Sequence, residues 1–353
     1  MQQERVESLN NSFDEDLVSS GIIFSYITPP PSPTTVFQND SIRHMLATMF
    51  CLISVAGISG NGLVLVSILH TAKLRTITNV FVFNLGIADL LTCSVLPLNA
   101  VAVLSIDGYP LPNPVCVFNV FVLMVCIGTS INTLTLIAIN RWIRITRSIQ
   151  RYHRIFRPNI VTIMLSFAWI LPIILTIIPL VSDIAELGFN PKYSTCLWAE
   201  ETFVYKLLVA IAYYPAQLIL TFYSYAKIYL YVRKSSRALR RRVPSVSESG
   251  ITVSVSNTPM NYGYPSSRFA KQIARRQLQV TKNLFFVLCA FLVCLSPYVF
   301  NLFIPNTCYF LPYTAMLLAF NSCLNPLIYA VKHPDFRRAF RSLLCHNAAK
   351  HET

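Results

Sequence analysis

The chain has 353 residues, of which 54% are hydrophobic and only 12% are charged, and its mean hydropathy is +0.52. A single water-soluble domain cannot bury that much apolar surface, so these values exclude an ordinary soluble protein and indicate a chain solvated largely by lipid. The net charge of +14 does not indicate nucleic-acid binding, because long apolar runs interrupt the basic residues and no nucleic-acid-binding fold is apparent.

Apolar runs of membrane-spanning length follow one another along the chain, each near the ~20 residues that a helix needs to cross a bilayer. They predict an all-α membrane protein, a seven-transmembrane helix bundle in one domain, residues 44–332. The first 43 residues lack the pattern of a removable signal peptide, so we expect the first span to act as the insertion signal. The predicted spans are 44–70, 78–105, 114–139, 159–181, 203–232, 283–305 and 309–331.

Lysine and arginine lie mostly on one side of these spans, in clusters such as residues 144–157 and 233–242. Since cytoplasmic loops hold the excess of positive charge, the N-terminus is predicted outside the cell and the C-terminus inside. The outer tail, residues 1–43, contains glycosylation sequons at Asn10 and Asn39. We expect this tail to be a flexible, glycosylated arm.

Two cysteines differ from the others by their position. Cys116 begins the third span and Cys196 lies in the second outer loop, so both face an oxidising compartment and are able to pair. The other cysteines mostly fall inside spans, where a thiol usually serves as a small apolar side chain.

The inner side of the chain contains two further segments. The loop 235–270 is rich in Ser, Pro and Arg and is predicted to be disordered and open to kinases. Residues 333–346 place apolar and basic residues on different helical faces, which predicts a short amphipathic cytoplasmic helix on the inner leaflet, with Cys345 as a palmitoylation site. A short tail, 347–353, follows.

The seventh span contains two asparagines and a proline within residues 321–329. Each leaves polar groups that need partners at bilayer depth, so we expect this segment to change conformation during function. Asp89 is the one carboxylate deep in an apolar run. It must be protonated, hydrogen-bonded or near a cation. The residues alone fit two interpretations, a hydrogen-bonded polar network and an ion site.

Short motifs in their order along the chain resemble those of the rhodopsin-like (class A) G-protein-coupled receptors, from about residue 45 to residue 345. One motif alone would mean little, but an ordered set is specific. The motifs are Gly60-Asn61-Gly62-Leu63-Val64, Asn84-Leu85-Gly86-Ile87-Ala88-Asp89-Leu90, Asn140-Arg141-Trp142, Trp169, Pro215 with Tyr223, Phe291 with Cys294-Leu295-Ser296-Pro297, and Asn325-Pro326 with Tyr329.

The resemblance implies a receptor that binds an extracellular ligand in the outer cavity of the bundle and activates heterotrimeric G proteins. Arrestin and receptor kinases are the further partners that it implies. No cofactor is expected apart from an allosteric sodium ion, which the resemblance places in a network of Asn61, Asp89, Ser130, Asn321 and Asn325.

The resemblance also implies that Arg141 contacts the G protein on activation. Asn140 stands where the family usually has an acid, and the inner end of the sixth span offers no acid either. The inactive state therefore lacks two restraining carboxylates, and we predict raised basal signalling. The activation switch implied by the resemblance comprises Asn140, Arg141, Tyr223, Tyr329, Pro215, Ile131 and Phe291.

Two positions narrow the ligand class. Leu123 occupies the place of the ammonium-binding aspartate of aminergic receptors, and Ala319 that of the retinal lysine of opsins, so neither a biogenic amine nor retinal is expected. Few polar residues lie nearby, which favours a neutral or lipophilic ligand or one arm of a peptide. The predicted pocket residues are Asn99, Leu123, Met124, Glu200, Leu207, Ile211, Leu295, Tyr298, Leu302 and Ala315.

Several stretches look partly like melatonin-type receptors, among them residues 140–142, 190–196 and 320–325. Leu180 and Glu200, however, replace the asparagine and glutamine usual in that group. The ligand is therefore left open between a melatonin-like small molecule, a peptide and the unknown ligand of an orphan receptor. The resemblance favours an inhibitory-class G protein.

Other classes fit the sequence less well. A transporter or channel would need a polar path or repeat symmetry, whereas Asp89 stands nearly alone among apolar residues. An intramembrane enzyme would need a nucleophile with its base or a set of metal ligands. The histidines lie at span ends, in loops or in the tail, so we expect no enzyme activity.

Overall fold

The computed structural model describes residues 39–105, 108–182, 184–191, 193–201, 207, 211, 215–242, 267–303 and 310–350. Within these ranges it leaves out the side chains of 179–180, 198–201, 235–242, 267–278, 280, 302 and 345–350. In chain order the elements are α1 (Asp40–His70), a 3-10 turn (Ala72–Leu74), α2 (Ile77–Leu104), α3 (Asn113–Thr146), α4 (Ile149–Ile155), α5 (Pro158–Val181), β1 (Ala185–Asn190), β2 (Thr195–Glu201), α6 (Pro215–Arg242), α7 (Ser267–Phe303), α8 (Leu311–Lys332) and α9 (Pro334–Lys350).

Local side chains decide where several helices begin. Asn39 caps α1 by accepting a 2.9 Å hydrogen bond from the backbone nitrogen of Ser41, and Thr76 caps α2 by accepting one from that of Asn79. Both α3 and α5 have a proline in their first turn, where its missing N–H would have no helical partner in any case. The sequence thus sets these starts with little help from tertiary packing.

Within the described residues, six helices are long and apolar enough to cross a membrane: α1, α2, α3, α5, α7 and α8. The fifth predicted span corresponds to α6, whose description begins at Pro215, so most of its outer part lies outside the described residues. Large apolar side chains such as Leu52, Ile163 and Phe300 are exposed on the bundle surface. A bilayer would solvate them.

The bundle is arranged around α3, which packs against α2, α5 and α6, while α8 packs against α1 and α7. A polar link fixes three helices in the interior. The Trp169 indole donates a 2.9 Å hydrogen bond to Asn84 Oδ1, and the Asn84 amide donates one of 2.8 Å to Thr133 Oγ1. Such buried polar groups need partners in lipid, so each bond favours this one helix arrangement.

A small antiparallel hairpin of β1 and β2 supplements the predicted helices on the outer side, with Phe189 paired to Cys196 and Asn190 to Thr195. A disulfide between Cys116 and Cys196 joins β2 to the first turn of α3, which confirms the predicted pairing. The bond closes a sequence separation of 80 residues. It holds the hairpin over the outer end of the bundle.

The amphipathic segment after α8 forms α9. Phe336 and Phe340 are buried on one face, whereas Arg337, Arg338 and Arg341 are exposed on the other. The Phe336 ring stacks on that of Tyr329 with centroids 5.2 Å apart. This helix therefore packs directly against the end of α8.

The other predicted modification sites have mixed positions. Asn39 is exposed at the start of α1. Asn10, the loop residues 243–266 and the side chain of Cys345 lie outside the described residues. Their modification stays a prediction.

Gly57 lies where α1 packs tightly against α2. A Cβ atom there would overlap Cys93 Sγ and lie 3.1 Å from Cys93 Cβ, whereas one at Gly62 would meet nothing within 4 Å. We expect Gly57→Ala to destabilise the protein by about 1–3 kcal/mol through overpacking. Thermal unfolding of purified protein should show a lower midpoint for Gly57→Ala than for the control Gly62→Ala.

Removal of the clash should restore the midpoint, so the double variant Gly57→Ala with Cys93→Ala should unfold at a higher temperature than Gly57→Ala alone. Equal midpoints for Gly57→Ala and the native chain would show that the two helices separate without cost.

Candidate functional site

An outer cavity opens among α1, α2, α3, α7 and α8. It comprises about 770 Å³, including its mouth, and residues Thr195 to Leu197 of β2 form part of its lining. Of the predicted pocket residues, it contains Asn99, Leu123, Met124, Tyr298 and Ala315. Its walls are mostly aliphatic and aromatic, so the cavity suits a predominantly apolar ligand.

Other predicted pocket residues lie elsewhere. Leu207 and Ile211 are exposed on the bundle surface, and Leu295 lines a separate cavity. The side chains of Glu200 and Leu302 lie outside the described residues. The contributions of α1 and of most of the outer half of α8 were not predicted, because an apolar residue that faces a cavity has the same sequence pattern as one that faces lipid. The missed lining residues include Phe50, Thr92, Leu96, Ile127, Leu311, Pro312, Leu318 and Ser322.

Asp89 lies at the floor of this cavity and is 1% exposed. The Asn325 amide donates a 2.6 Å hydrogen bond to its Oδ2, and the Ser322 hydroxyl donates one of 3.0 Å to its Oδ1. Ser130 also hydrogen-bonds the carboxylate. These contacts join α2, α3 and α8, as the network predicted from Asp89, Ser130 and Asn325 requires.

The remaining two predicted members of the network have different roles. Asn61 does not contact Asp89 directly but donates hydrogen bonds to the carbonyl oxygens of Gly57 and Ser322, at 3.0 Å and 2.9 Å. It therefore fixes the backbone from which Ser322 reaches the carboxylate. Asn321 lines the cavity, and its buried Oδ1 has no hydrogen-bond partner among the described residues.

At the inner end of the bundle, Asn140 is fully buried, and both the oxygen and the nitrogen of its side-chain amide form hydrogen bonds. Its Oδ1 accepts a 2.8 Å hydrogen bond from Thr78, and its Nδ2 donates one of 3.1 Å to the Tyr152 hydroxyl. Asn140 thus joins α2 and α4 to α3. Its neighbour Arg141 is also buried and lines a second cavity at the same end of the bundle.

The structure corrects the predicted positions in the fifth span. Pro215 is exposed at the first described turn of α6, whereas Gln217 and Leu218 line a cavity of about 300 Å³ with Ile131 and Phe291. The Gln217 amide also donates a 2.8 Å hydrogen bond to Asn132 Oδ1. The face of α6 that points inward is therefore offset by two residues from the one inferred through Pro215.

The same offset applies to the tyrosines of α6. Tyr223 is 47% exposed and meets the Trp142 ring edge to face, with centroids 5.2 Å apart. Tyr225 is half-buried, contacts the Phe285 ring at 4.9 Å and lies close enough to interact electrostatically with Arg141. Tyr225 is thus the tyrosine of α6 that the structure places beside the arginine.

In sequence, the chain is similar to seven-transmembrane receptors. Residues 60–329 match the family described as 7 transmembrane receptor (rhodopsin family). The chain is 29% identical over 331 residues to melatonin receptor type 1B of Rattus norvegicus, covering 90% of this chain and 81% of that receptor. It is 24% identical to the G-protein coupled receptor moody of Drosophila melanogaster, of which it spans 53%.

A solved structure of squid rhodopsin has a TM-score of 0.71 with 22% identity, covering 90% of this chain and 89% of that one. This likeness confirms the predicted seven-transmembrane helix bundle as a fold.

Proposed function

This chain belongs to the rhodopsin family of seven-transmembrane receptors, and on that premise we propose that it binds a predominantly apolar extracellular ligand and activates a heterotrimeric G protein. The observation that carries the proposal is the arrangement of one bundle with an apolar cavity at its outer end and buried Arg141 beside a cytoplasmic cavity at its inner end. We place the protein in the plasma membrane with its N-terminus outside, as the distribution of basic residues predicts.

The mechanism requires that the ligand bind the active arrangement of helices better than the inactive one. Polar contacts around Asp89 connect the cavity floor to the 321–329 segment of α8. Ligand contacts near the floor are therefore able to bias this segment. At its end, Tyr329 packs on Phe336 of α9, so a change in α8 also alters the cytoplasmic surface.

A melatonin-type ligand is the second candidate, supported by the likeness to the rat melatonin receptor. The mostly apolar walls suit it, and Leu123 offers no counter-ion to an amine. That the G protein is of the inhibitory class stays part of the proposal and rests on the melatonin-like motifs of the sequence. Arrestin and receptor kinases stay predicted partners.

A direct test uses purified protein in nanodiscs with purified G-protein heterotrimers of the inhibitory and stimulatory classes. We expect faster nucleotide exchange on the inhibitory class than in matched empty nanodiscs. If exchange stayed at the empty-nanodisc rate for every class, with and without ligand candidates, the receptor proposal would fail.

We also propose a sodium site at the cavity floor. The Asp89 carboxylate, the Ser130 hydroxyl and the Asn321 amide oxygen are the hard oxygen donors that such a cation prefers. The partnerless buried Oδ1 of Asn321 supports this fit. A sodium ion would supply the positive charge that the buried carboxylate otherwise lacks, and would stabilise the inactive arrangement.

Without ligand, native protein should stimulate nucleotide exchange on the G protein several-fold less when about 150 mM sodium chloride replaces the same concentration of N-methylglucamine chloride. The Asp89→Asn variant should not respond, because it lacks the charge that attracts the ion. Asp335→Asn is the control, since it removes a buried carboxylate from α9 instead. Equal sodium responses in native and Asp89→Asn protein would argue for a plain polar network.

A further inference from the structure

The cavity beside Arg141, called the inner cavity below, is lined mainly by basic and polar residues. It comprises about 1240 Å³, including its mouth, and lies among the 3-10 turn, the start of α2, the end of α3, α4 and the junction of α8 with α9. Its lining contains one carboxylate, Asp335, and four cations. The cations are Lys73, Arg75, Arg141 and Arg144. Such a concentration of positive charge attracts anions.

The carboxylate does not neutralise this charge. Asp335 Oδ1 lies 3.4 Å from Lys73 Nζ and 3.8 Å from a terminal nitrogen of Arg338, so two cations share it. Neither Arg75 nor Arg144 forms an ion pair within the described part of the chain. Basic residues beside a span usually mark only its cytoplasmic end. Here they surround one space, which leaves it with an excess of positive charge.

Contacts with the protein hold two of the arginines in place. Arg75 Nη2 donates a 2.5 Å hydrogen bond to the backbone oxygen of Leu69, and the Arg144 guanidinium lies 4.7 Å from the centroid of the Tyr152 ring. The Tyr152 hydroxyl is itself fixed by its hydrogen bond from Asn140. A guanidinium has five N–H donors, so each arginine keeps donors for a ligand. Because both are positioned in advance, less entropy is lost when a ligand binds.

Phosphate is the anion that fits these groups best. A guanidinium matches phosphate oxygens with paired hydrogen bonds, and several cations around one space suit a group with more than one negative charge. The cavity is larger than a single phosphate, so it also has room for a ring that carries phosphates. Basic pockets at the inner ends of membrane helices are suited to phosphorylated lipid headgroups for the same reason.

We propose that the inner cavity binds a multiply charged phosphate compound, held by Arg75 and Arg144 and lying beside Arg141. The compound is either soluble or the headgroup of a lipid in the inner leaflet, and the two sources share the chemistry that the cavity recognises. This site goes beyond the proposed function, because binding requires neither the outer ligand nor a G protein. It would nevertheless be linked to G-protein contact, since both involve Arg141.

The test measures binding to purified full-length protein in phosphatidylcholine nanodiscs at constant ionic strength. Thermal unfolding is followed during titration with inositol trisphosphate, or with inositol as the neutral control, because a ligand that binds only the folded protein raises the midpoint. In a second arm the nanodiscs contain phosphatidylinositol bisphosphate, or phosphatidylserine at the same total lipid charge. A stronger effect of the lipid identifies a headgroup site, and a stronger effect of the soluble compound identifies a soluble ligand.

We expect inositol trisphosphate or phosphatidylinositol bisphosphate to raise the midpoint of native protein, and inositol and phosphatidylserine to leave it unchanged. The double variant Arg75→Gln with Arg144→Gln should need about tenfold more of the phosphate compound for the same rise. Its control, Arg151→Gln with Arg337→Gln, removes the same charge from exposed residues outside the cavity and should respond as native protein does. Equal losses in the two double variants, or no rise in native protein, would overturn the proposal.

If the Arg75 and Arg144 double variant does not fold, native protein still decides the question. A photoreactive inositol trisphosphate should label residues 73–79 or 141–153, and the unlabelled compound should reduce that label. Labelling confined to other residues would overturn the proposal. Neither measurement uses a G protein, so a receptor that couples without binding phosphate would contradict this site alone. Phosphate binding by a chain that activates no G protein would instead contradict the proposed function alone.

Discussion

Replacing Asn140 with Asp should lower ligand-free G-protein signalling by about tenfold, which corresponds to about 1.4 kcal/mol of added stability in the inactive state. The reason is electrostatic. A carboxylate at residue 140 would keep the acceptor role towards Thr78 and could accept a hydrogen bond from Tyr152. It would also place a negative charge beside buried Arg141 and hold that arginine in its inactive position.

The measurement is ligand-free G-protein dissociation in cells at matched surface expression. Asn140→Ala is the matched control, because it removes both hydrogen bonds without adding charge. We expect it to retain or raise the native signal. A basal signal that Asn140→Asp leaves unchanged would remove the explanation of raised basal activity by a missing acid.

Replacing Tyr225 with Phe should reduce ligand-free signalling about fivefold to tenfold, because the lost hydroxyl can no longer support the charged Arg141 side chain. Tyr223→Phe is its natural control. Tyr223 is two residues away on the same helix, but it is half-exposed and meets Trp142 instead. We expect Tyr223→Phe to signal within about twofold of native protein.

Both variants keep an aromatic ring, so neither should disturb the contacts of Trp142 or Phe285. A large loss in Tyr223→Phe with none in Tyr225→Phe would restore the positions inferred from Pro215 and contradict the orientation of α6.

The difference at α6 has a physical origin. A proline followed eight residues later by a tyrosine matches the family pattern, but so short a motif does not fix which face of a helix points inward. Packing decides that. Gln217 hydrogen-bonds Asn132 of α3, and Thr221 lies 3.4 Å from Thr135 through their hydroxyl oxygens. Polar groups that find partners in the interior outweigh the position of a proline, which is tolerated on the exposed face.

The features that the sequence does predict are those with a strong local or energetic signal. Long apolar runs reveal the spans, and a lone carboxylate such as Asp89 is expensive enough in lipid to require partners. The positions of Cys116 and Cys196 on the outer side likewise predicted that the two can pair. The cavity walls were harder to predict, because residues such as Phe50 and Leu318 are apolar whether they face ligand, lipid or another helix.

The position of Arg43, by contrast, has no strong signal in the sequence. In the sequence it is one of few basic residues on the outer side, where it counts only as a minor charge in the prediction of orientation. Its burial against Val103 depends on the packing of α1 on α2, which no local pattern reports.

The most direct test of the receptor function is ligand-free G-protein dissociation in cells, measured across a panel of G-protein classes for the native chain and for Arg141→Ala. We predict a basal signal from the native chain, strongest with the inhibitory class, that is lost in Arg141→Ala at equal surface expression. The same signal in both proteins would contradict the role of Arg141 and the cytoplasmic coupling on which this account rests.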